Sequence, residues 1–171
     1  MPLADIKLLI LDVDGVLTDG TVMFGIGGVD GEEVKAFSTR DGAGIALWRD
    51  AGFATTFLTG RGGAAVQRRA RELRIERIWE HVHDKVAILD EICAHYSVTR
   101  DEVAGMGDDI VDLRWLGAVG YSAAPADAAR DVLERVDLVT PSNGGHGAVR
   151  DLVEHLLRET GRWDAYVERF C

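Results

Sequence analysis

Short, unbroken apolar runs recur along this chain, and each is followed by a stretch of helical periodicity. An unbroken run leaves no polar alternate face, so it suits a strand covered on both sides. The pattern predicts strands at about 7–11, 53–58, 77–79, 103–106, 118–122 and 136–139. Between them it predicts helices at about 42–51, 63–74, 84–96, 109–116, 126–134 and 147–160. The 84–96 stretch is the clearest, with Ile88, Leu89, Ile92, Cys93 and Tyr96 recurring at helical spacing. Strand and helix in alternation imply an α/β fold: a doubly wound, Rossmann-like parallel sheet with helices on both faces. In such sheets ligands bind outside the carboxyl ends of the strands, so the residues after each apolar run are where chemistry is expected.

The 171 residues suit one domain spanning 1–171, and 47% apolar content with 28% charged is ordinary for a chain that builds a core. No apolar run reaches the roughly 18–20 residues of a membrane span. The start, MPLADIKLLILDVDG, has neither a basic leader nor a small-residue cleavage site, and a cytoplasmic location is expected. A net charge of −10 disfavours nucleic acid and anionic membranes as partners. Cys93 and Cys171 have no metal-ligand spacing and cannot build a disulfide framework. An anionic substrate would therefore need local cations or a bound metal.

One segment interrupts the alternation. From Asp19 to Phe37 the chain reads DGTVMFGIGGVDGEEVKAF, two extended runs around a glycine-rich bend, which predicts a β-hairpin flap at about 19–37. Its GIGGVDG opens no helix after a strand, so it matches a dinucleotide fingerprint poorly. A hairpin projecting from such a sheet serves as a lid or an interface element. The tail at about 159–171 holds Trp163, Tyr166 and Phe170 and suits either packed core or an arm docking on a neighbour past Gly161, with the arm slightly favoured.

The strand ends yield a constellation: Asp12 and Asp14, then Thr59, Gly60 and Arg61, then Lys85, then Asp108, Asp109 and Asp112. Converging carboxylates at one edge need a cation, and all-oxygen ligands suit a hard ion such as Mg²⁺. Some of these residues also have structural uses. Thr59 suits a helix N-cap, and Asp108 and Asp109 suit a helix start. Lys85 is expected in the first turn of a helix, against the dipole, so an anion should compensate it. His81 and His83 lack a third ligand and read as a loop lining the site, while His146 is divided between substrate contact and a plain turn.

Together these residues resemble the haloacid dehalogenase-like phosphatases. The family's motifs appear in order as DVDGV at 12–16, the threonine of LTGR at 58–61, Lys85, and GDDIVD at 107–112. The resemblance implies that Asp12 is the nucleophile, forming an aspartyl-phosphate, and that Asp14 protonates the leaving alcohol and then activates water. It implies that Thr59 and Lys85 hold the phosphate, and that Asp12, Asp108 and the backbone carbonyl of Asp14 bind Mg²⁺. No insertion is large enough for a cap domain. A capless chain with GEEVKAFSTRDGAGI at 31–45 and GGHGAVRDLVEHLL at 144–157 is similar to the 3-deoxy-D-manno-octulosonate 8-phosphate phosphatases. That resemblance implies a homotetramer with the hairpins at its centre. It also implies substrate contacts from Ser38, Thr39, Arg40, Asp41 and Gly42, with Gly60 beside them, and a carboxylate read by Arg61 and Arg69.

The chain departs from that pattern at Ala46, where an arginine is usual, and at 81–84, which reads His-Val-His-Asp. Arg61 after the TG dipeptide and Glu72 differ from relatives that act on nine-carbon acids. A related nonulosonate phosphate, another sugar phosphate, or a non-catalytic oligomerisation module remain as alternatives. A receiver domain does not, because here the lysine precedes the GDD motif.

Overall fold

Strand β1 (Leu8–Leu11) is buried at every position, as a central strand covered on both faces must be. The computed structural model describes residues 3–25 and 33–171. After β1 comes a ribbon of β2 (Met23–Phe24) and β3 (Glu33–Val34), then α1 (Thr39–Asp50), β4 (Ala54–Leu58), α2 (Ala64–Glu72) and β5 (Ile78–Trp79). The second half runs α3 (Leu89–Tyr96), β6 (Val103–Met106), α4 (Leu113–Leu116), β7 (Tyr121–Ala124), α5 (Arg130–Leu133), β8 (Leu138–Val139), α6 (Ala148–Glu159) and α7 (Trp163–Val167).

Six strands form one sheet in the order β5-β4-β1-β6-β7-β8, and every pairing in it is parallel. The chain winds outward from β1 in both directions, so β1 and β6 flank the point where the strand order reverses. Side-chain alternation divides the core. Leu9 and Leu11 point to the layer of α1, α2, α6 and α7, whereas Leu8 and Ile10 point to α3, α4 and α5. This is the doubly wound α/β fold the apolar runs imply.

Several boundaries differ from the sequence pattern: α3, α4 and β8 start late, at Leu89, Leu113 and Leu138, and two further shifts have visible reasons. The strand expected at 118–122 is found at Tyr121–Ala124 because Gly117 and Ala118 still finish α4, donating to Leu113 and Trp115 carbonyls at 3.0 Å. The helix expected at 126–134 is reduced to Arg130–Leu133. The residues before it tie down loops instead: Ala129 N–H donates to the Asp108 carbonyl at 2.7 Å, and Asp127 Oδ1 accepts from Gly144 N–H at 2.9 Å.

The expected hairpin is present as an antiparallel pairing of Met23 with Val34 and Phe24 with Glu33. The glycine-rich bend at 26–32 lies outside the described residues. At the C-terminus the packed alternative holds in place of the slightly favoured arm. Gly161, at φ +67°, turns the chain back on itself. Trp163 then lies under the Arg150 and Arg158 guanidinium groups at 5.3 and 4.8 Å, and Tyr166 is buried in the same core. The Phe170 side chain lies outside the described part. Among the described residues no helix is long and apolar enough to cross a membrane.

Candidate active site

Asp12 follows β1 directly, and its N–H donates to the Met106 carbonyl at 3.0 Å, extending the β1–β6 ladder by one bond. The carboxylate is thus delivered at the reversal of strand order. Gly15, at φ +85°, turns the chain sharply there, and a Cβ on it would sit 2.0 Å from Asp108 Oδ2. Only glycine lets the loop after β1 approach the loop after β6 this closely. Carboxylate oxygens of Asp12, Asp108 and Asp112 all lie within 4.8 Å of one another, the one cluster of that kind among the described residues.

Asp112 is fully buried, and its oxygens are committed. Oδ1 accepts from Lys85 Nζ at 2.6 Å and from Trp115 Nε1 at 2.8 Å, while Oδ2 accepts from the N–H groups of Asp108 and Asp109 at 3.2 and 3.4 Å. It therefore orients its neighbours. Lys85 Nζ also lies 3.0 Å from Asp12 Oδ1. Lys85 was expected in the first turn of a helix; it instead precedes a short 3₁₀ turn at Val86–Ile88, and α3 starts only at Leu89. The compensating anions are Asp12 and Asp112.

The electrostatics follow from this crowding. Burial pulls the Lys85 ammonium down, but Asp12 and Asp112 outweigh it and hold the group above its usual value. Burial pushes the Asp12 carboxyl up and Lys85 opposes the rise. Asp108 is driven up to about 7 by burial, then by the charges of Asp12, Asp112 and Asp109. Without a further cation, this edge holds more negative charge than it can comfortably ionise.

Asp12, Asp14, Thr59, Gly60, Arg61, His83, Lys85 and Asp108 share one cavity of about 410 Å³, with Val111 at its rim. Thr59 is almost wholly buried, and its Oγ1 accepts from Arg61 N–H at 3.1 Å. It caps that turn, whereas α2 begins later behind Gly63. The backbone there is pinned to the following loop, with Val82 N–H donating to the Thr59 carbonyl at 3.1 Å and His81 N–H to the Arg61 carbonyl at 3.2 Å. The Asp14 carboxylate is not in the acidic cluster. It meets Lys35 through Oδ1 and lies 3.6 Å from Arg61 Nε through Oδ2.

The segment 38–42 and Arg69 are not brought into this cavity. Ser38 caps α1, its Oγ accepting from the N–H groups of Arg40 and Asp41. Thr39 is the exposed first residue of that helix, and Arg40 Nη1 donates to the His146 carbonyl at 3.4 Å. Asp41 is buried and accepts from the N–H groups of Gly147 and Arg150 at 3.2 and 3.0 Å. Gly42 leaves room for Arg69, whose Nη2 donates to the Ser38 carbonyl at 2.8 Å and whose guanidinium lies 5.7 Å from the Phe37 ring. In this chain the expected substrate-contacting segment is a junction between α1, α2 and α6. His146 holds its own turn through Gly144, at 2.8 Å. Lys35, Glu33 and Trp115 carry no local signal in the sequence, since the partners that tie them to Asp14, Arg61 and Asp112 lie 21 to 28 residues away or one turn along.

A family model described as haloacid dehalogenase-like hydrolase matches residues 75–152. The chain is 38% identical over 160 residues to the 3-deoxy-D-manno-octulosonate 8-phosphate phosphatase of Escherichia coli K12, covering 94% of this chain and 84% of that one. It superposes with TM-score 0.93 and 32% identity on the enzyme of that name from Moraxella catarrhalis, solved with magnesium, phosphate and KDO, covering 99% and 96% of the two chains. A cobalt-bound phosphatase from Haemophilus influenzae gives TM-score 0.90 at 36% identity, covering 97% and 95%.

Proposed function

The chain belongs to the 3-deoxy-D-manno-octulosonate 8-phosphate phosphatases, among the haloacid dehalogenase-like hydrolases, and from that premise we propose that it hydrolyses this sugar-acid phosphate to free sugar acid and phosphate. It is a phosphoric monoester hydrolase. The observation that carries the proposal is the gathering of Asp12, Asp14, Thr59, Lys85 and Asp108 around one cavity at the carboxyl edge of the sheet.

An Asp12 oxygen attacks phosphorus as the bond to the sugar oxygen breaks, and Asp14 gives its proton to that leaving oxygen. Water then attacks the aspartyl-phosphate, passing a proton to Asp14 and releasing phosphate while Asp12 is restored. Lys85 offsets charge at the nucleophile, and Thr59 Oγ1 with the turn at Gly60 offers donors to phosphate oxygens. Arg61 stands at the mouth with a half-exposed guanidinium, suited to a substrate carboxylate.

The donor set is all oxygen and fits a hard divalent cation. Asp12, Asp108 and the backbone carbonyl of Asp14 would hold Mg²⁺, which when bound polarises the phosphoryl oxygens. A cytoplasmic location and a homotetramer complete the reading. Exposed Val22, Met23, Phe24 and Val34 on a ribbon only two strands wide favour cover by other copies.

The test is phosphate release, with Mg²⁺, from a panel of phosphorylated sugars, octulosonate and nonulosonate phosphates, and simple esters. The octulosonate phosphate is expected to lead by about 10-fold or more in kcat/KM, the worth of one charge-assisted contact. A neutral sugar phosphate turned over as well would overturn the sugar-acid assignment.

A further inference from the structure

We infer that Lys35, arriving from the ribbon, is a positioning residue that fixes the carboxylate of Asp14 for proton transfer. The inference rests on the phosphatase reading above, in which Asp14 serves the leaving oxygen. Lys35 lies just beyond β3, outside the main sheet, yet its side chain is only 1% exposed. An ammonium drawn away from water is costly unless anions meet it. Two do. Nζ donates to Asp14 Oδ1 and, at 2.8 Å, to Glu33 Oε1.

Arg61 closes a ring of four charges, donating from Nη2 to Glu33 Oε2 at 2.9 Å and approaching Asp14 Oδ2 at 3.6 Å. That last distance is too long for a hydrogen bond. Asp14 Oδ2 is in fact buried without a hydrogen-bond partner. One oxygen of the carboxylate is therefore clamped, while the other accepts no hydrogen bond, in a residue that lines the cavity shared with Asp12. Such an arrangement fixes the plane of the carboxylate and leaves one oxygen with no competing hydrogen bond when it carries the proton. Lys35 does not line that cavity and lies against the neighbouring one beside Arg69, so it acts through Asp14.

Leaving-group chemistry separates positioning from simple support of the fold. A sugar alkoxide needs a proton as it leaves, whereas p-nitrophenolate does not. kcat/KM reports events up to expulsion of the leaving group, and Lys35→Met, Lys35→Arg and Asp14→Asn should be compared with the unaltered chain on 3-deoxy-D-manno-octulosonate 8-phosphate and on p-nitrophenyl phosphate. Lys35→Met is expected to lose about 10- to 100-fold on the sugar-acid phosphate, a fraction of what general acid catalysis supplies, and less than about 3-fold on the aryl ester. Lys35→Arg should recover part of the loss. An equal loss on both substrates overturns the inference. If Lys35→Met does not fold, Lys35→Arg must still show the contrast in smaller form, and its absence overturns the inference equally. Asp14→Asn tests the underlying reading separately. If that variant shows no contrast, the role given to Asp14 is wrong whatever Lys35 does.

Discussion

Asp108 sits beyond β6 among other carboxylates, and its carboxyl is raised to about 7 by burial first and then by Asp12, Asp112 and Asp109. A carboxyl raised on folding favours the protonated form in the folded state. The sign follows: this site costs least stability below the ordinary carboxylate value near 4, and the cost grows as pH rises through about 7. Metal-free protein carrying Asp108→Asn should accordingly melt higher than the unaltered chain at pH 8, and the gap should shrink toward pH 5. Mg²⁺ should raise the melting temperature of the unaltered chain and not of the variant. A gap independent of pH would show that the carboxylates do not repel as described. Arg61 and Arg69 differ in a comparable way. Arg69 is spent on the Ser38 carbonyl, so Arg69→Ala should lower kcat/KM by similar factors for a sugar-acid phosphate and a simple ester. Arg61→Ala should cost the sugar acid about 10- to 100-fold and the ester much less. Selective damage from Arg69→Ala would mean that its guanidinium leaves Ser38 to meet the substrate.

Elements place these side chains, and the junction of α1 with α6 shows how. Asp41 caps neither helix in sequence terms, yet its buried carboxylate receives the first amides of α6 from 106 and 109 residues away. Asp41→Ala should lower unfolding free energy by about 1–3 kcal/mol, the cost of leaving buried donors unpaired, and urea denaturation measures it. A change below about 0.5 kcal/mol would contradict that role. β1, β4 and β6 were legible because a strand buried on both faces carries its signal locally, and Asp12, Thr59 and Asp108 were legible because they follow such strands, Asp12 and Thr59 directly and Asp108 after Gly107. The short α5 and the late start of β7 were not, since amides at 126–129 and 117–118 are claimed by partners elsewhere in the fold or by the preceding helix. Helical spacing puts Arg69 near the buried face of α2, where it lies, but carries no sign of its tie to the Ser38 carbonyl 31 residues away. Lys35 carried no local signal, because a lysine after a ribbon strand is ordinarily solvated.

At the scale of the whole molecule, the ribbon leaves apolar surface uncovered, with Phe24 72% exposed. Association of copies through it is the proposed cover, and Phe24→Glu should shift sedimentation from the tetramer to smaller species with loss of activity. A fully active monomer at assay concentration would contradict the assembly. The fold otherwise serves one purpose: a sheet whose strands end in Asp12, Thr59 and Asp108 is wound outward from its centre, so that groups far apart in sequence meet at one edge. On the proposed function, this edge releases phosphate through covalent attack by Asp12. The most direct test is the rate of phosphate release from 3-deoxy-D-manno-octulosonate 8-phosphate, with Mg²⁺, by the unaltered chain and by Asp12→Asn. The amide keeps the size of the side chain and removes both its nucleophilicity and its charge, so activity should fall by about 10³-fold or more. A folded Asp12→Asn protein that kept most of its phosphate release would contradict covalent attack by Asp12.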